Sequence, residues 1–157
     1  MTRTAKKTRR EDVSPESYIF EIVKWEPSYF LTVGDRKHRE GPYYEHAGLD
    51  IEASCIFPEN MKGRAANFHV AGARDCLTPR AYQNDPEWTP RCVGELELSP
   101  SYGRFYTSIP HDSLAVVLST FAHGLFKFIL VYGPTLKRNK SLCSSMHFMQ
   151  NVNLEEY

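Results

Sequence analysis

The sequence predicts a mainly β fold with one helix, an antiparallel sandwich or half-open barrel of about eight strands. Three observations favour this class. Aromatic residues make up 13% of the 157 residues, and such side chains pack well on pleated sheets. Several segments alternate apolar and polar residues with the period of two that strands require. Only one segment has helical periodicity, so the sequence lacks the regular alternation of strands and helices that requires a parallel sheet. An α+β arrangement is the alternative fold class.

The first half of the chain contains four segments with strand-like patterns. Residues 17–25 and 29–33 are separated by a proline, and a glycine–aspartate pair after the second segment predicts a hairpin. Residues 49–57 show the cleanest alternation, with one apolar and one polar face. Together with residues 67–72, which follow a turn, they predict an antiparallel pair. In the first segment, strict alternation places Tyr18, Phe20, Ile22 and Lys24 on one face and Ile19, Val23 and Trp25 on the other.

The second half begins with the longest predicted loop, residues 74–91, which contains three prolines and several charges. Residues 92–98 and 102–109 then predict a second hairpin. After the helix, residues 125–132 have the pattern of a central strand, because they are apolar on both sides except for one lysine. A basic loop leads to a last predicted strand at residues 142–149.

One segment has the periodicity of an amphipathic helix. Its apolar residues fall at i, i+3, i+4 and i+7 and form a single stripe, Leu114, Val117, Leu118 and Phe121. Pro110 suits the first turn, with Ser108 or a neighbour as the cap, and Gly124 can end the helix in a left-handed conformation. We expect this helix to cover one end of the sheet, and His123 to bond its last carbonyl groups.

Charge divides the chain into two parts. Residues 1–13 are predicted to be a flexible basic arm, and residues 14–157 a single β-rich globular domain. The remainder after the first ten residues has 14 basic and 19 acidic side chains, whereas those ten hold five basic and no acidic ones, Arg3, Lys6, Lys7, Arg9 and Arg10. A basic arm is therefore attached to a mildly acidic body.

The four cysteines are too far apart for a CxxC zinc or redox motif, and we expect them to be core thiols. No apolar segment follows the initial methionine, so we expect no secretory signal and a cytoplasmic location. Residues 114–133 have about the length of a membrane span, but Lys127 near their centre makes insertion unfavourable. A soluble fold without membrane contact is the main expectation, and a span over these residues is the minor alternative.

Local motifs for catalysis or cofactor binding are missing from the sequence. The six histidines form no HxH or HxxxH pair, and the nine glycines form no phosphate-binding loop. No GxSxG elbow or cysteine-protease signature occurs, and Cys76, in the long loop, is the only thiol considered as a nucleophile. We therefore assign no catalytic residue, metal or cofactor. Enzymatic activity is uncertain, and a non-catalytic role is favoured.

The leading hypothesis is a non-catalytic binding or adaptor module with a protein partner. An aromatic-rich sheet without a catalytic motif favours this role. The contact surface is expected on exposed strand edges or on the long loop of residues 74–91, because long surface loops often carry binding residues.

A nucleic-acid-associated role is the alternative hypothesis. Positive side chains neutralise phosphates and give weak, salt-sensitive affinity. These would come from the basic arm and from the basic loop near the C-terminus, which contributes Lys137, Arg138 and Lys140. Tyr102, Phe105 and Tyr106, beside Arg104, form a candidate stacking platform for bases. The third hypothesis is an enzyme whose site is assembled from distant His, Asp and Cys residues.

Overall fold

The computed structural model describes residues 15–33, 42–77, 84–85 and 87–157. They form eight strands, one α-helix and two short 3-10 turns. The helix, α1, spans His111–Ala122 and lies between the fifth and sixth strands. The strands are β1 Pro15–Val33, β2 Tyr43–Phe57, β3 Ala65–Ala73, β4 Gly94–Leu98, β5 Gly103–Pro110, β6 Phe128–Pro134, β7 Lys140–Cys143 and β8 Ser145–Met149.

All eight strands belong to one sheet, in the order β7-β4-β5-β3-β2-β1-β6-β8. The sheet curls until β7 lies against the end of β6, where the Ser141 hydroxyl donates a hydrogen bond to the Pro134 carbonyl over 2.6 Å. The two ends of the sheet therefore almost meet. The predicted β-rich half-open barrel with one helix is confirmed, and so is the predicted pairing of β2 with β3 and of β4 with β5.

One strand pair differs from the antiparallel arrangement that the sequence favoured. Within the described residues, six of the seven strand pairs are antiparallel, and β3 and β5 run parallel. The reason is the long connection after β3. It carries the chain to β4 on the far side of β5, and the β4–β5 hairpin then returns β5 to the edge of β3.

Aromatic rings fill the interior of the barrel. Phe68 lies at the centre, with the ring of Phe20 at 4.9 Å and the ring of Phe105 at 5.4 Å between centroids. Gly94 lies where β4 passes this cluster, and a Cβ atom there would clash with the Phe105 ring and stand 2.5 Å from the Tyr106 carbonyl oxygen. Only glycine allows the strand to approach so closely.

Helix α1 covers one end of the barrel, as expected. Leu114 and Phe121 are its buried residues, and the Phe121 ring contacts Trp25 at 5.5 Å and Phe148 at 5.1 Å. Gly124 ends the helix with φ +68°, which confirms the left-handed conformation predicted for it.

Of the other predictions for the helix ends, the one for His123 is confirmed and the one for the N-terminal cap is not. The His123 ring nitrogen Nδ1 bonds the Ser119 carbonyl at 2.7 Å. At the other end, Pro110 is the residue before the first turn, Ser108 belongs to β5, and no side chain caps the helix.

Residues 114–133 do not form one helix, because they divide between α1 and β6. In the part of the chain that the structure describes, no helix has the length and apolar character needed to cross a membrane.

Strand β1 is continuous through the proline that was expected to interrupt it. At Pro27 it is an edge strand, because its pairing with β6 ends at Glu21, and edge strands tolerate proline. A register shift between Ile22 and Lys24 bulges the strand at Val23. Because of this bulge, the prediction from strict alternation was wrong for the residues that follow Val23. Trp25 joins Ile22 on the interior side, and Lys24 turns to the outside.

Candidate functional site

A groove of about 1160 Å³ lies on the outer face of the barrel. Its floor is formed by outward-facing residues of β2, β3 and β5. Its wall is formed by the long connection between β3 and β4, through Cys76, Leu77, Trp88, Pro90 and Val93. The connection is therefore more than a link between strands, because it converts an open sheet face into a cavity.

The strand alternation places three side chains next to one another on the groove floor. Phe68 and Val70 of β3 are buried in the barrel, so His69 between them faces outward. In the register of the sheet, His69 stands opposite Asp50 of β2 and opposite Tyr106 of β5. The three therefore form a row across three neighbouring strands.

Direct contacts join this row. Nδ1 of His69 hydrogen-bonds the Asp50 carboxylate, and the imidazole ring stacks on the Tyr106 ring at 4.7 Å with an angle of 12° between the planes. The stack and the hydrogen bond fix the orientation of the imidazole. Since Nδ1 is engaged, Nε2 is the ring nitrogen that His69 can offer to a bound molecule.

A second polar pair lies farther along the floor, at Gly48. A Cβ atom on this glycine would stand 2.9 Å from His46 Nε2 and 3.2 Å from Ser28 Oγ, so glycine leaves room for both side chains. The His46 ring stacks on Phe30 at 5.1 Å, and Phe30 contacts Tyr44 at 5.7 Å. The groove floor therefore continues onto an aromatic surface beyond the barrel.

Two cysteines line the groove, and two lie in the core. Cys76 and Cys92 belong to the groove wall, whereas Cys55 and Cys143 are fully buried. The expectation of four core thiols is thus right for two of them and wrong for the others, because the long connection packs onto the outside of the sheet. Burial raises the pKa of Cys76, with a smaller contribution from Asp75. Cys76 therefore has a smaller fraction of reactive thiolate at neutral pH than an ordinary exposed cysteine, which makes it a slower nucleophile.

Among the described outward-facing strand residues beside the groove, acidic side chains outnumber basic ones. Arg104 lies 5.7 Å from the ring centroids of both Tyr102 and Tyr106, but its guanidinium is paired with Glu97 at 2.7 Å. Lys140 is paired with Glu95 at 2.9 Å. The strand register makes three basic side chains neighbours of five acidic ones on this outer surface. The basic residues are Lys24, Arg104 and Lys140, and the acidic residues are Glu26, Asp50, Glu52, Glu95 and Glu97.

The sequence-predicted residues have different outcomes. Tyr102 and Tyr106 are exposed beside Arg104, as the stacking platform requires, but Phe105 is 0% exposed. Phe105 is a core residue and was wrongly included, because alternation turns every second side chain of β5 inward. Lys137, Arg138 and Lys140 are exposed around the β6–β7 turn. The five basic residues Arg3, Lys6, Lys7, Arg9 and Arg10 lie outside the described residues.

Sequence reasoning missed the groove. The alternation in β2 and β3 indicated that Asp50 and His69 face outward on paired strands, so their contact could have been predicted from the register. Tyr106 could not be added, because it is brought to His69 by the parallel pairing of β3 with β5. The groove wall could not be predicted either, because residues 74–91 have no periodicity that would indicate how they pack.

Among the described residues, no group of three or more His, Cys, Asp or Glu side chains is arranged to hold a metal ion. Comparison with known proteins gave no match. No protein-family model, no curated protein and no solved structure is significantly similar to this chain. The groove itself therefore carries the functional argument.

Proposed function

We propose that this protein is a non-catalytic binding module whose groove holds a segment of a protein partner. The observation that carries the proposal is the groove between the outer face of β2, β3 and β5 and the β3–β4 connection. Its volume of about 1160 Å³ exceeds the 300–1000 Å³ that pockets for small molecules usually have. A cavity of this size accommodates several residues of an extended peptide.

The lining supplies both kinds of contact that peptide recognition needs. Leu77, Trp88 and Val93 offer apolar and aromatic surface, which provides most of the binding free energy at protein interfaces. The row of Asp50, His69 and Tyr106 offers hydrogen-bonding groups whose orientation is already fixed. A partner segment would bury apolar side chains against the wall and align its polar groups with the floor.

A groove-filling substitution tests the proposal. Ala71 faces outward on β3 and lines the groove, so Ala71→Trp should fill part of the cavity. The matched control is Asn67→Trp, which faces outward on the same strand but lies outside the groove lining. We expect tagged wild type and Asn67→Trp to recover the same protein from an extract of the source cells, and Ala71→Trp to recover at least about tenfold less, as hot-spot contacts imply.

The melting curves of the three proteins should coincide, because both tryptophans point away from the core. Equal recovery by all three would contradict the proposal, since the partner would then bind elsewhere. Failure to recover any specific protein with wild type would contradict it more generally.

A nucleic-acid-associated role is the second candidate, supported by the exposed arrangement of Tyr102, Arg104 and Tyr106. Aromatic rings beside an arginine are suited to stacking bases. The five acidic side chains on the same face oppose a polyanion, and Glu97 already neutralises Arg104. Binding of fluorescent single-stranded RNA at physiological salt, lost in Arg104→Gln, would favour this candidate over the peptide groove.

The contact between Asp50 and His69 is also relevant to the third hypothesis, an enzyme whose active site is assembled from residues distant in the sequence. A carboxylate that holds a histidine through Nδ1 is an arrangement used for proton transfer. The nucleophile is the weak point, because burial raises the pKa of Cys76 and so lowers its fraction of reactive thiolate. The geometry therefore supports binding better than catalysis.

A further inference from the structure

Strands β1 and β2 continue beyond the barrel as a two-stranded ribbon, formed by residues 29–33 and 43–47. β1 pairs with β6 only as far as Glu21, and β2 pairs with β3 only from Gly48 onward. Within the described residues the ribbon therefore has no neighbouring strand on either side. An isolated two-stranded hairpin is at best marginally stable in water, so a ribbon of this kind needs further packing.

One face of the ribbon is apolar and open. The register pairs Tyr29 with Ala47 and Val33 with Tyr43, which places these side chains and Leu31 on the side that continues the barrel interior. Their exposed fractions are 63% for Tyr29, 58% for Leu31, 75% for Val33 and 66% for Tyr43. Single exposed apolar residues are ordinary, but a contiguous group of four large ones usually marks an interaction site.

We propose that this face is a homodimer interface, covered by the same face of a second copy of the chain. A two-fold interface brings each patch against itself, so a charged patch would repel its own copy. Glu45 is the charged residue on this face in the described part of the ribbon. It is engaged by Arg74 at 3.0 Å and by the Tyr29 hydroxyl at 3.3 Å. Two identical faces can therefore meet without like-charge repulsion.

The available area fits a second copy. Aromatic side chains bury roughly 150–250 Å² each, and leucine and valine somewhat less. The two tyrosines, Leu31 and Val33, which are about two-thirds exposed, therefore offer roughly 500 Å² per copy. Two faces together reach about 1000 Å², near the lower limit for a specific protein interface. This size corresponds to a dimer that dissociates on dilution.

The interface leaves the groove open. Phe30 lies on the opposite face of the ribbon, where it stacks on His46 of the groove floor. Dimerisation through the face of Tyr29 and Leu31 therefore does not compete with a partner in the groove, and the two proposals can fail independently.

Sedimentation velocity of the chain at concentrations from about 1 to 100 µM tests the dimer, because interfaces at the low end of the size range are usually weak. We expect wild type to approach twice the single-chain mass of 18.1 kDa at the upper concentration. Leu31→Glu should weaken the dimer at least about 30-fold, because each interface would bury unpaired carboxylates. Val33→Glu should do the same.

Two matched controls show whether the loss of dimerisation is specific to the apolar face of the ribbon. Thr32→Glu puts the same charge on the opposite face of the ribbon, and Val23→Glu puts it on another exposed apolar residue of β1, outside the ribbon. Both should dimerise like wild type. A monomeric wild type at every concentration would overturn the proposal. A dimer unaffected by Leu31→Glu and Val33→Glu would also overturn it. So would a wild-type monomer that dimerises only when the arm, residues 1–13, is removed, since the arm would then be the occupant of the face.

Discussion

Replacing Phe105 by alanine is expected to lower the free energy of unfolding by about 3–5 kcal/mol, the usual cost of deleting a fully buried aromatic ring. Phe105 is 0% exposed and packs against Phe68 at 5.4 Å. Its removal leaves a cavity in the centre of the barrel that the surrounding strands, tied by their hydrogen bonds, cannot close. Urea denaturation of the variant and wild type measures the loss.

The neighbouring residue provides the matched comparison. Tyr106 is 51% exposed and stacks on His69 in the groove, so Tyr106→Ala should cost less than about 1 kcal/mol of stability, as for exposed residues generally. It should nevertheless reduce recovery of the partner. Similar losses of stability in the two variants would contradict the assignment of Phe105 to the core and Tyr106 to the groove.

Alkaline pH is expected to destabilise the protein strongly. Burial raises the pKa of both Cys55 and Cys143 from 9.0 to about 11. Burial also raises the pKa of Tyr18, with a contribution from its hydrogen bond to Glu16. In each case the folded state binds the proton more tightly than the unfolded chain. The resulting stability is complete below pH 9 and is lost as pH rises towards the folded pKa.

The two thiols together should remove about 4 kcal/mol by pH 10.5, since each raised pKa unit corresponds to about 1.4 kcal/mol. Urea denaturation at pH 8.0 and pH 10.5, in the presence of a reductant, measures the difference. Cys55→Ala combined with Cys143→Ala should be less stable than wild type at pH 8.0 but should lose much less on going to pH 10.5. An equal loss in both proteins would show that other groups cause the alkaline sensitivity.

Much of the fold was predictable because it follows from side-chain alternation. The apolar faces of residues 49–57 and 67–72 predicted β2, β3 and their antiparallel pairing, and the stripe from Leu114 to Phe121 predicted the helix. Such patterns are local, and burial of one face imposes them directly. The predicted last strand, residues 142–149, is divided by Ser144 into β7 and β8, which occupy opposite ends of the sheet order.

The details that determine the site depend on long-range packing. The bulge at Val23 changes the face of every later β1 side chain, yet nothing in the local composition marks it. The parallel pairing of β3 with β5 brings Tyr106 to His69 across 37 residues of sequence. The wall residues, including Trp88 and Cys92, come from a segment without periodicity. The sequence could therefore predict the long loop as a contact surface but could not show which residues it packs against.

The most direct test of the proposed binding role is chemical labelling of the two cysteines that line the groove. Cys76 and Cys92 line the groove, whereas Cys55 and Cys143 are fully buried and serve as internal controls. Iodoacetamide labelling of each cysteine is followed by mass spectrometry, for the protein alone and with the purified partner from the extract experiment. We expect the partner to slow labelling of Cys76 and Cys92 and to leave the two buried thiols unreactive. Unchanged labelling of Cys76 and Cys92 in the complex would contradict the central claim, because the partner would then bind outside the groove.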